Sequence, residues 1–85
     1  MPRFRFNLYN STGFVEDEEG RELPDLAAAR HEAMNDIRSI LSEEITAGRV
    51  DLRGRLEIVD ELAKLSSTVR FDEAVEIIRD EPPPC

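Results

Sequence analysis

Tryptophan is missing from this 85-residue chain, and aromatic side chains make up only 6% of it. A stacking platform for bases needs several aromatics on one sheet, so the scarcity already argues against single-stranded nucleic-acid binding. Cysteine occurs once, as Cys85, which excludes an internal disulfide and a cysteine-based zinc site. Histidine also occurs once, as His31, and no Ser–His or Cys–His spacing supports nucleophilic catalysis. There is no long apolar run and no leader-like N-terminus, so no membrane span is expected and a cytoplasmic location is. Lysine is nearly absent too. Lys64 is the only one beside ten arginines, which suits an Arg- and Ala-rich protein from a GC-rich genome.

Acidic residues, in contrast, are plentiful. Nineteen Asp and Glu against eleven Lys and Arg leave a formal charge of -8 at pH 7. Such a surface repels nucleic acid and anionic membranes and favours a basic protein partner. A chain this short makes one domain, assigned to residues 1–80, with a proline-rich tail at 81–85. It buries only ~60–65% of its unfolded surface, and self-association into a homodimer would add to that.

The strongest local pattern runs from Asp25 to Gly48. Asp25 follows Pro24 and can accept hydrogen bonds from free N–H groups at a helix start. Residues 26–47 are mostly good or tolerable helix formers, and Gly48 suits the left-handed position beyond the end. At ~1.5 Å per residue this helix of roughly 22 residues is about 33 Å long. Leu26, Ala29, Ala33, Met34, Ile37, Ile40, Leu41 and Ile45 share an apolar arc of roughly 160°. His31 falls on the opposite, polar side. Glu44 and Arg30 intrude on the apolar arc. Glu44 is near the end and can lean out. Arg30 sits close to the centre of the face, and a buried guanidinium requires an anionic partner. Two readings follow. The partner is the acidic segment just upstream, in a structural pair, or it is an anionic ligand.

Three other segments alternate as half-buried strands do: Phe4, Phe6, Leu8; then Leu56, Ile58; then Leu65, Ser67, Val69, Phe71. Asn10–Gly13 is a turn, and Phe14-Val15 starts a return strand. Glu16–Glu22 is a charged loop turning at Gly20, with Leu23 as a staple before the helix. The connection at 60–64 lacks glycine, so a loop longer than a two-residue turn is expected. Asp72 can cap a short helix over 73–79 that buries Val75 and Ile78, with a strand as the alternative. The expected fold is therefore α+β, in the order β-(β)-α-β-β-(α). An antiparallel sheet of three to four strands carries the long helix on one face.

The sheet face away from the helix then shows Arg3, Arg5, Asn7, Tyr9, Glu57, Val59, Ser66, Thr68 and Arg70. It is a mildly basic face on an acidic molecule. Arg3, Arg5, Tyr9, Arg30 and Arg70 are the candidate interaction or anion-contact residues, with Tyr9 as an anchor. Catalytic, cofactor-binding and metal residues are not expected. The run Glu16-Asp17-Glu18-Glu19-Gly20 is rich in carboxylates, but it lacks the alternating ligands of a calcium loop. The expected function is a non-catalytic interaction or regulatory module with a protein partner, itself or a basic protein. The alternative is a sensor of a small anionic ligand.

Several segments taken together, Pro2-Arg3-Phe4-Arg5-Phe6, Asp17-Glu18-Glu19-Gly20, Glu22 through Arg30 and Leu56 through Glu61, resemble a family of small uncharacterised proteins common in alphaproteobacteria. The resemblance spans residues 2–78 and implies no activity. In that family a glycine often occupies the turn where this chain has Leu62-Ala63, which implies a distorted hairpin here. A weaker likeness, at the level of fold, is to antitoxin subunits with a partial double-stranded-RNA-binding-like fold.

Overall fold

Residues 1–80 are described by the computed structural model, so the proline-rich tail at 81–85 lies outside the described residues. Alternation of Phe4, Phe6 and Leu8 with polar residues produces strand β1 (Arg3–Asn10). The chain reverses where the Asn10 side chain accepts from the Thr12 N–H at 2.9 Å. It returns as β2 (Gly13–Val15) and, after a charged loop, as the two-residue β3 (Arg21–Glu22). Helix α1 (Leu26–Thr46) follows, then β4 (Arg55–Asp60), β5 (Leu65–Arg70) and α2 (Phe71–Ala74). The sheet is antiparallel, in the order β2-β1-β4-β5, with β3 also pairing β1. The α+β architecture expected from the sequence is what forms, with β3 as an addition.

Both ends of α1 are written locally. Asp25 is the N-cap and its side chain accepts from the Ala28 N–H at 2.8 Å. At the other end Gly48, at φ 92, donates to the Ile45 carbonyl at 2.9 Å, and Arg49 donates to the Glu44 carbonyl at 3.0 Å. This double closure requires a left-handed residue at position 48.

One face of the sheet and one stripe of α1 make the core. Phe4, Phe6, Leu56, Ile58 and Val69 meet Ala29, Ala33, Ile37 and Leu41, and Phe71 and Ala74 close one end. Ala29 and Ala33 are fully buried, so small side chains let the helix sit close to the strands. Burying a side chain such as Ile37 contributes about 1.5–3 kcal/mol. Leu26 and Ile45 belong to the apolar arc yet are 46% and 62% exposed. A 21-residue helix, ~32 Å long, exceeds the six- to eight-residue strands of ~20–27 Å on which it packs, so its end residues have less sheet to cover.

One local expectation is corrected and one is met. The helix expected over 73–79 is a single turn, and Val75 is already extended at φ −137 and ψ 152. The Arg38 Nε donates to the Ala74 carbonyl at 2.7 Å, taking an acceptor that a continuing helix would use. Val75 packs against the core, whereas Ile78 is 81% exposed. The connection between β4 and β5 is the longer loop expected. The Asp60 carboxylate accepts from the Leu62 and Ala63 N–H groups, and the left-handed residue is Lys64, at φ 59.

Candidate functional site

Strand parity divides the sheet cleanly. Cross-strand register sets Arg5 beside Val59 and Ser66, Asn7 beside Glu57 and Thr68, and Tyr9 beside Arg55 and Arg70. The buried strand residues all have the opposite parity and lie under α1. No helix of the described residues covers the open face. Its most ordered feature is a stack. The Tyr9 and Phe14 ring centroids are 4.6 Å apart, and the Arg55 guanidinium lies 4.1 Å above the centre of the Tyr9 ring. Phe14 is half exposed, at 51%. Beside the stack Arg53, Arg55, Tyr9, Asn10 and Ser11 bound a shallow hollow of about 340 Å³.

The structure brings Arg3, Arg5 and Tyr9 onto this face with Arg70, but each arginine is already engaged. Arg3 donates to the Glu19 carbonyl at 2.8 Å and lies 3.4 Å from the Glu22 carboxylate. Arg5 pairs with Glu61, whose hydrogen bond and charge raise the Arg5 pKa. Arg70 donates to Asp72 at 3.0 Å, which raises its pKa likewise. All three guanidinium-bearing side chains are more than a third exposed, so these pairs add little stability. They do occupy the cations that an anionic ligand would need.

Arg30 is not on the open face, and its partner is not the acidic segment upstream. Its guanidinium donates to Ser67 Oγ at 2.7 Å and to the Thr68 carbonyl at 3.4 Å, and it pairs with the Glu73 carboxylate at 3.4 Å. The helix reaches sideways over β5 rather than back to the loop. This arrangement closes a sheet edge. The Phe71 N–H bonds the Gly54 carbonyl, so by alternation the backbone groups of Ser66, Thr68 and Arg70 point away from β4. Arg30 takes the Thr68 carbonyl, and the Glu73 carboxylate accepts from the Arg70 N–H at 3.2 Å. Side chains thus shield an edge that would otherwise pair with another strand.

A second device bridges a gap in the opposite edge. Leu8 faces Val15 and Phe4 faces Arg21, so four steps along β1 are matched by six on the return strand. The excess residues bulge out beside Phe6. In that gap the Asp17 carboxylate accepts from the Phe6 N–H at 3.0 Å, from Gly20 at 3.1 Å and from Glu19 at 3.2 Å. Asn7 Oδ1 accepts from the Asp17 N–H at 2.9 Å in return. Partial burial pushes the Asp17 carboxyl up, but the three N–H donors and the nearby Arg21 outweigh it, and its pKa lies below the ordinary value. The acidic loop is therefore a clasp on β1. Gly20, at φ 75, completes it, because a Cβ there would stand 2.9 Å from Arg3 Cγ and 3.0 Å from the Phe4 carbonyl oxygen.

Sequence reasoning missed Arg55 and Phe14 as members of the open face and Asp17 and Glu73 as groups at the sheet edges. Arg55 was legible, since it alternates with Leu56. The others depend on which strands pair and where α2 falls. His31 is exposed, as its helix position implies. Among the described residues no group of three or more His, Cys, Asp or Glu is placed to hold a metal, and no helix is long and apolar enough to cross a membrane.

No curated protein and no solved structure matches the chain. The family model of a domain of unknown function, DUF6894, does match, over residues 3–72, from the first residue of β1 to the second of α2. That stretch contains the Asp17 clasp, Arg30 and the whole open face, with Glu73 one residue beyond it, and the chain belongs to the DUF6894 family.

Proposed function

We propose that this protein is a small non-catalytic interaction module of the bacterial cytoplasm, and that it contacts another protein through the open face of its sheet. The observation that carries the reading is the Phe14–Tyr9–Arg55 stack. A half-exposed Phe14 ring, a partly buried Tyr9 ring and a guanidinium with no carboxylate within salt-bridge distance among the described residues form an ordered, uncovered patch. Tyrosine and arginine are the residue types that carry much of the energy at protein contacts. Side chains that engage backbone groups along both sheet edges make strand addition there less favourable and leave the face as the more open surface. A second copy of this chain is one candidate partner, since it would cover the same patch on both subunits. The engaged state of Arg3, Arg5, Arg30 and Arg70 weighs against the anion-sensor alternative.

Photo-cross-linking in cells tests the reading. A cross-linking amino acid at position 14 should give a discrete protein adduct, and one at position 43, on the solvent side of α1, should not. A folded chain that gives no adduct from position 14, or equal adducts from both positions, overturns it.

A further inference from the structure

A groove of about 760 Å³ separates the Asp17 clasp from helix α1 on the side of the molecule away from the open face. Its floor is apolar, made by Phe6, Leu8, Leu56 and Ile40, with the 60%-exposed Val15 at its mouth. Its rim is anionic. Five carboxylates line it, from Glu16, Asp17, Glu18, Glu19 and Asp36, against the single guanidinium of Arg21. The three N–H donors hold Asp17 ionised, and Glu16, Glu18 and Glu19 make no ion pair among the described residues.

Arg21 shows what chemistry the groove accepts. Its guanidinium lies 4.6 Å above the centre of the Phe6 ring and donates to Asp36 at 2.6 Å. An apolar ring and a carboxylate together thus already hold one arginine of the chain itself. The gap in the edge supplies a further acceptor. Both backbone groups of Phe6 point away from β4, because the Glu61 N–H bonds the Arg3 carbonyl and sets the alternation along β1. Asp17 satisfies the Phe6 N–H, but among the described residues the Phe6 carbonyl meets no donor.

We propose that this groove is a docking site for a basic, partly apolar segment of a partner protein. An aliphatic side chain would lie on Leu8, Ile40 and Leu56, and neighbouring arginines would meet Glu16, Glu18 and Glu19. The choice of a basic occupant rests on charge complementarity. The rim carries a net negative charge, and so does the whole molecule, which opposes a second copy of the chain and attracts a cationic segment. An apolar floor distinguishes this surface from a solvated acidic patch, which would bind cations without regard to shape.

The test uses the full isotope-labelled chain and a synthetic peptide alternating arginine and leucine. Saturable shifts in the amides of residues 15–20 and 36–40 are expected. Combined Glu16→Gln, Glu18→Gln and Glu19→Gln substitutions should weaken binding by about tenfold. These side chains are exposed, so the fold should persist. Replacing leucine by serine in the peptide should also weaken binding, whereas Phe14→Ala should leave it unchanged, which separates this surface from the open face. Four results overturn the proposal: no saturable shift; equal binding of the arginine–serine peptide; magnesium or calcium ions shifting the same amides and excluding the peptide; or the same shifts appearing on concentration of the free chain, which would assign the groove to a second copy.

Discussion

The Asp17 carboxylate accepts from the Phe6 N–H at 3.0 Å, where a continuous edge strand would offer a backbone carbonyl. One side chain thus mends a break between β2 and β3, and its amide is held by Asn7 in exchange. Losing the carboxylate leaves three N–H groups of the loop and β1 without their acceptor. Asp17→Ala is expected to cost about 1–3 kcal/mol, and Asp17→Asn less, because the amide oxygen retains part of the acceptance. Denaturant unfolding of the two variants measures both values, and equal, negligible losses would show that the clasp is incidental.

The same carboxylate makes stability depend on acid. Its folded pKa is lowered, and so is that of Asp51, which accepts from the Arg53 side chain and backbone. Unfolded aspartates take up protons near pH ~3.9 while the folded ones are still ionised. In that window the unfolded state binds more protons, so stability rises with pH through it. The contribution is complete above about pH 5 and is lost as pH falls through the folded pKa values. Melting temperature should therefore be flat near neutrality and drop in acid, with a shallower drop in Asp17→Asn. A protein whose acid limb is unchanged by that substitution contradicts the assignment.

Arg30 and Glu73 are 43 positions apart and meet at the edge of β5. Their side chains are about a third exposed, at 35% and 31%, so solvent screening limits the pair. A double-mutant cycle of Arg30→Met and Glu73→Gln should return a coupling below about 1 kcal/mol. The larger effect is expected in solution behaviour. Uncovering Thr68 and Arg70 should make the double variant associate with concentration, by strand pairing, more than the native chain does. Light scattering over a dilution series reads this directly.

Gly54 is buried, and a Cβ there would stand 2.8 Å from the Phe71 ring. Phe71 is itself 1% exposed and cannot swing away without opening the core. Gly54→Ala is expected to destabilise by about 1–3 kcal/mol, by overpacking. Gly13 and Gly48, where a Cβ would meet nothing within 4 Å, are the control, since any loss there reflects only the positive φ. If Gly54→Ala matched the native melting temperature, the ring would have to be freer than its burial implies.

Asp25 caps α1 through the Ala28 N–H, in an exposed position with no tertiary partner in the bond. Asp25→Ala should cost about 1 kcal/mol, and Asp25→Ser should restore most of it. Thermal unfolding followed by circular dichroism distinguishes the two.

Helix α1 was legible nearly to the residue because its information is local: Asp25, a run of helix formers and Gly48 lie next to the groups they cap. Strand parity was legible for the same reason, and it located the open face and Tyr9. The segment after Phe71 was not, because the Arg38 guanidinium, 36 positions earlier on the neighbouring α1, captures the Ala74 carbonyl.

The sequence by itself determined the α+β class, the bounds of α1 and which residues of each strand face the core, since side-chain period and capping act over a few residues. Only the tertiary structure decided that Arg30 meets Ser67 and Glu73 instead of the acidic loop, that Asp17 clasps Phe6, and that Arg55 lies on Tyr9. Those contacts depend on strand register and on where a helix crosses a sheet. Both are set by the sum of many packing contacts, and no short stretch of the chain encodes them.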